Sequence, residues 1–134
     1  MNEDYPFWDR LKIPLSINWS TPRKIIVNIP ATEIRTHIVA PAHTSAIKLR
    51  LVVTGCNMSN YSNTGMHSLD LEWPYQGTLA SQTISLPFTI KSNSLTVMAA
   101  RIIYITETKK GKQEVQLKRW LPAGVIGACF KNIN

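Results

Sequence analysis

Ser45-Ala46-Ile47-Lys48-Leu49-Arg50-Leu51-Val52-Val53-Thr54 is the stretch that decides the fold class. Ile47, Leu49, Leu51 and Val53 fall on one face of an extended chain, and Lys48 and Arg50 fall on the other. Side chains of a strand point alternately to opposite faces of its sheet, so this spacing suits a half-buried strand. On a helix the same residues would scatter around the axis.

The period of two recurs on both sides of this stretch. Lys24 to Ile29 is rich in isoleucine. Glu33 to Val39 alternates Ile34 with Arg35 and is read as a further strand. Leu69, Leu71 and Trp73 alternate with Ser68, Asp70 and Glu72. Ile84, Leu86, Phe88 and Ile90 share a face, and Pro87 between them, lacking an N–H, assigns that strand to a sheet edge or a bulge. Leu95 to Thr106 is the longest apolar run. Its β-branched and aromatic content favours a strand covered on both faces over a buried helix. Lys109-Lys110-Gly111-Lys112 forms a polar turn, and Gln113 to Leu121 the returning strand of a hairpin. Val125 to Phe130 is a last short run. The spacers carry turn chemistry, such as Ile29-Pro30-Ala31 and Ala40-Pro41-Ala42. The longest, Asn57 to His67, is polar and is the candidate functional loop.

No segment has a sustained helical stripe with a cap and a stop. The 134 residues suit one domain spanning 1–134. Seven to nine short strands cannot bury their apolar faces in one flat sheet. The expected fold is therefore all-β: an antiparallel two-sheet sandwich, of the jelly-roll kind, with about eight strands.

The formal charge of +7 points to a polyanionic partner or to a solvated basic surface. Cys56 and Cys129 lie far apart and read as free, buried thiols. No signal peptide and no apolar run near the ~20 residues of a membrane-spanning helix is visible, so membrane insertion is not expected.

Signals for catalysis are weak. There is no glycine-rich phosphate loop, no Gly-x-Ser-x-Gly and no His-Glu-x-x-His. His37, His43 and His67 lack the spacing of metal ligands, and no cofactor is expected. Asp70 and Glu72 share a strand face, but alternation alone places them there. The chain is read as a non-enzyme.

The basic residues say more. Lys109, Lys110, Lys112, Lys118, Arg119 and Lys131 crowd the C-terminal part and are the candidate nucleic-acid contacts. Lysines at a hairpin tip also serve to keep exposed strands from pairing with other chains. Trp120 beside Lys118 and Arg119 would add a stacking surface. The tryptophans allow sugar-binding platforms, although Trp73 is in phase with core positions. Tyr5, Phe7 and Trp8 form an aromatic segment that either folds back on its own domain or packs on a neighbouring copy. They are the candidate assembly contacts.

Thr36-His37-Ile38-Val39-Ala40-Pro41, followed closely by Ser45 to Gly55, resembles the middle of the jelly-roll coat proteins of picorna-like plant viruses, the comovirus and nepovirus group. Thr83 to Ile90, Leu95 to Thr106 and Gln113 to Leu121 are similar in order and character to the last strands of that fold. The resemblance implies a coat subunit that tiles a shell with copies of itself or related subunits around RNA. It implies no catalytic residue. Its setting would be the virion, or the host cytoplasm before assembly. A non-catalytic binding module, either a carbohydrate-binding sandwich or a viral movement or nucleic-acid-binding accessory protein, is the alternative.

Overall fold

The structure, a computed structural model, describes residues 7–21, 23–116 and 122–131, without the side chains of residues 8 and 9. Ten strands are formed by the described residues. These are β1 (Ser16–Asn18), β2 (Lys24–Ile29), β3 (Thr32–Glu33), β4 (Thr44–Asn57), β5 (Asn63–Pro74), β6 (Thr78–Leu79), β7 (Gln82–Pro87), β8 (Ser94–Thr108), β9 (Gly111–Glu114) and β10 (Ala123–Lys131). Two helical turns, α1 (Phe7–Arg10) and α2 (Ile34–His37), interrupt them.

The protein is an all-β, antiparallel two-sheet sandwich. One sheet runs β1-β2-β7. The other runs β10-β8-β4-β5, with β9 also paired to β8, and it curls into a half-barrel. β3 and β6 make a separate two-residue ladder, which leaves eight strands in the two main sheets. The β4·β5 pair nests inside the β2·β7 pair, with each level in a different sheet. A third level of nesting would pair β1 with β8. Instead β1 lies beside β2, and β10 lies beside β8.

The alternation in β4 is realised as expected. Ile47, Leu49, Leu51 and Val53 are buried, and their partners carry one apolar layer across the sheet. Trp73, Ile47 and Tyr104 lie side by side, as do Leu71, Leu49 and Ile102, and Leu69, Leu51 and Ala100. Ile25, Val27, Ile29 and Leu86 of the facing sheet complete a single core. Each fully buried aliphatic side chain of this kind stabilises the fold by about 1.5–3 kcal/mol relative to exposure.

Gly127 permits the sheets to approach at one edge. A Cβ there would lie 2.8 Å from Ile17 Cδ1 and 3.1 Å from Trp19 Cζ2. Two phenols tie down the chain after α2: Tyr75 Oη donates to the Ile38 carbonyl and Tyr104 Oη to the Val39 carbonyl, each at 2.6 Å. Burial pushes the Tyr104 phenol well above its ordinary range.

Several expectations need correction. Glu33 to Val39 is not a strand. Its first residue, Glu33, ends β3 and the next four form α2, because Ile34 and Ile38, four residues apart, both reach the core on a helical turn that Ile38 N closes onto Ile34 O at 2.9 Å. The Asn57–His67 loop is shorter than expected, since β5 begins at Asn63. β8 is covered on both faces only at Ile102–Ile105; before them buried and half-buried residues alternate, and Glu107 and Thr108 at its end are exposed. β9 ends at Glu114, and of the expected strand Gln113 to Leu121 the residues after 116 lie outside the described ones. Pro87 is the last residue of β7, an edge strand, as its missing N–H requires.

Candidate functional site: the outer face of the five-stranded sheet

The strand registers divide the outer face of the five-stranded sheet in two. At one end lie charged rows. Asp70, Arg50, Arg101 and Ala123 form one, and Glu72, Lys48 and Ile103 the next. Arg50 grips Asp70 with both prongs: Nε donates to Oδ1 at 2.8 Å and Nη2 to Oδ2 at 3.0 Å. The guanidinium hydrogen bond holds the Asp70 carboxyl below its usual range, and the bonded carboxylate raises Arg50 in turn. Arg101 sits directly across from Arg50 without an ion-pair partner among the described residues.

Toward the other end the face turns apolar. Ser68, Val52, Ala99 and Val125 form one row, Met66, Thr54, Val97 and Ala128 a second, and Asn63, Cys56, Leu95 and Phe130 a third, polar at its Asn63 end. Met66 is 70 % exposed, Val125 44 % and Phe130 51 %. The three rows span about 13 Å along the strands and about 14 Å across them. With their side chains they present roughly 300–400 Å², the size of the largest apolar patch on an ordinary monomer and a frequent mark of an interaction surface. β10 at the rim is an edge strand, and Lys131 is its one charged residue.

The described candidate basic residues are not all brought together. Lys109 and Lys110 occupy the β8–β9 turn, where Gly111 adopts φ +105, and Lys112 stands across from Glu107. Lys131 pairs with Ser94, at the opposite end of β8 and about 45 Å away along the strand. Lys118 and Arg119 lie outside the described residues, as does Trp120.

Of the candidate assembly contacts, Tyr5 and the Trp8 side chain lie outside the described residues. Phe7 does not reach out to a neighbour. It is 2 % exposed and packs over Gly124, where a Cβ would come within 3.0 Å of its own. An aromatic side chain next to a glycine notch in its own sheet is buried most readily there. The apolar outer rows were not singled out from sequence. Their signal was the second, outward phase of the same alternation: Val52, Val97, Ala99, Val125 and Ala128 at positions where a solvated sheet would carry polar residues.

Trp73 is 8 % exposed and belongs to the core, so it offers no open sugar platform, and Trp19 is half-buried over Gly127. Cys56 and Cys129 are free and face opposite sides of the sheet. His37 Nδ1 donates to the Glu33 carbonyl at 3.0 Å, His43 sits in a turn and His67 in β5. No group of three or more potential metal ligands occurs among the described residues, and no helix of theirs is long and apolar enough to cross a membrane. No protein-family model matches the chain, and searches of curated proteins and of solved structures find no match.

Proposed function

We propose that the chain is a structural subunit that associates with copies of itself, in the manner of a viral coat-protein sandwich, and contacts RNA through basic residues. The observation that carries this reading is the apolar half of the outer sheet face, ending at the β10 edge. Exposing Met66 and Val125 beside the half-buried Val52, Val97 and Ala99 is unfavourable in water, and burial against another copy relieves it. The patch is about half of the ~800 Å² that each partner of a standard interface buries. One such contact is therefore weak, and it gains strength only when repeated around an assembly. In this reading the protein resides in a virion, or in the host cytoplasm before assembly.

The test is light scattering on the size-exclusion eluate. The unmodified chain is expected to rise in mean mass as its loading concentration increases. Met66→Lys/Val125→Lys, a pair of exposed sites whose change leaves the core intact, is expected to run as a monomer at every concentration. A wild-type chain that stays monomeric at millimolar concentration would remove the self-association.

A further inference from the structure

We propose that the end of the sandwich formed by the β4–β5 loop, the β7–β8 turn and the end of β10 is a binding site for single-stranded nucleic acid, with Arg23, Lys24, Lys91 and Lys131 holding phosphates and exposed aromatic rings stacking on bases. This deepens the RNA-contact part of the proposed function and moves it away from the β8–β9 hairpin.

The segments that meet at this end are 18–21, 23–24, 55–66, 87–96 and 128–131. They contain those four cations and no aspartate or glutamate. All four cations are exposed. Lys131 and Ile90, the neighbour of Lys91, line a cleft of about 260 Å³ together with Trp19, Thr21, Cys129 and Phe130, and Arg23 follows closely after Thr21. Along β5 the nearest carboxylate is Asp70, seven residues and about 23 Å from Asn63, and Arg50 neutralises it. By contrast, the hairpin lysines have Glu107 and Glu114 on their own two strands. A patch of one sign beside low-dielectric walls concentrates counter-charge far better than a mixed one.

Cations alone would suit any polyanion, but the rings narrow the choice. Tyr61 is 77 % exposed at the tip of the β4–β5 loop, and Phe130 is 51 % exposed beside the cleft. The loop that presents Tyr61 is braced. Tyr61 N donates to Asn57 O at 2.8 Å and Met58 N to Asn93 O at 2.9 Å, and Asn93 Nδ2 reaches Ser59 Oγ. The strand ends between this loop and Phe130 span about 14 Å. Exposed aromatic faces at an acid-free, basic end of the sandwich suit unstacked bases on a flexible backbone, which a duplex does not present.

The experiment is fluorescence anisotropy of a labelled 12-nucleotide oligouridylate with the full chain, repeated at several salt concentrations. Four phosphate contacts give a slope of log K against log salt of about −2.8, an affinity loss of about 50-fold between 50 and 200 mM salt. Lys91→Glu/Lys131→Glu is expected to weaken binding and to halve that slope. Tyr61→Ala is expected to weaken binding at least about fivefold without changing the slope. Lys109→Glu/Lys110→Glu is expected to bind like the wild type, and a blunt duplex of equal length to bind more weakly than the strand. Circular dichroism of each variant confirms that these exposed changes leave the fold in place. Retained binding in Lys91→Glu/Lys131→Glu with loss in the hairpin variant would overturn the inference while keeping RNA contact. Absence of wild-type binding at 50 mM salt would overturn both. Failure of self-association shows only in the mass measurement and leaves these affinities as they are.

Discussion

Individual residues set how closely the two sheets approach and how the outer face is charged. Gly127 has no Cβ because Ile17 and Trp19 occupy the space one would need. Gly127→Val should therefore force those side chains off their rotamers and destabilise the fold by about 1–3 kcal/mol, measurable as a lower urea midpoint. The Arg50–Asp70 bridge is well formed, but its side chains are 38 % and 37 % exposed, so solvent screens it. Asp70 has its carboxyl pKa lowered by Arg50, so the stabilisation is present above the unfolded carboxyl pKa and is lost as pH falls through the folded one. Asp70→Asn should cost under about 1 kcal/mol at neutral pH, and the difference from wild type should vanish in acid as the native carboxylate is protonated. Chemical denaturation at pH 7 and near pH 2 checks both parts.

Elements differ in how far the sequence disclosed them. β2 and β4 were legible because one face of each is uniformly apolar while the other carries the charged and polar residues, Lys24 and Asn28 beside Ile26 in β2, and Lys48, Arg50 and Thr54 beside Val52 in β4. α2 was not. Ile34 and Ile38 satisfy a strand run ending at Ile38 as well as one helical turn, and only the core they both enter decides between the two. β8 was read as doubly covered because its apolar run is long, yet its outward positions Leu95, Val97 and Ala99 remain half-buried. That residual exposure was illegible, since a run of apolar residues records a preference for burial and not whether the same chain supplies the cover. The scattered cations Arg23, Lys24, Lys91 and Lys131 gave no local motif, and only the strand pairing brings their segments to one end of the sandwich. At this scale Tyr104→Phe should loosen the segment after α2 by removing the donor to Val39 O, a loss of about 1–3 kcal/mol visible in thermal melting.

Over the whole molecule, one core and two sheets leave the outer face of the larger sheet divided between a charged half and a largely apolar half. In the proposed assembly that apolar half supplies a contact weak enough to be reversible and strong when repeated. Sedimentation velocity from 10 μM to 1 mM, for the unmodified chain beside Met66→Lys/Val125→Lys, tests this most directly. Self-association through the outer face requires the weight-average sedimentation coefficient of the unmodified chain to climb with concentration while the doubly charged variant stays at the monomer value. Identical, concentration-independent boundaries for the two proteins would contradict it.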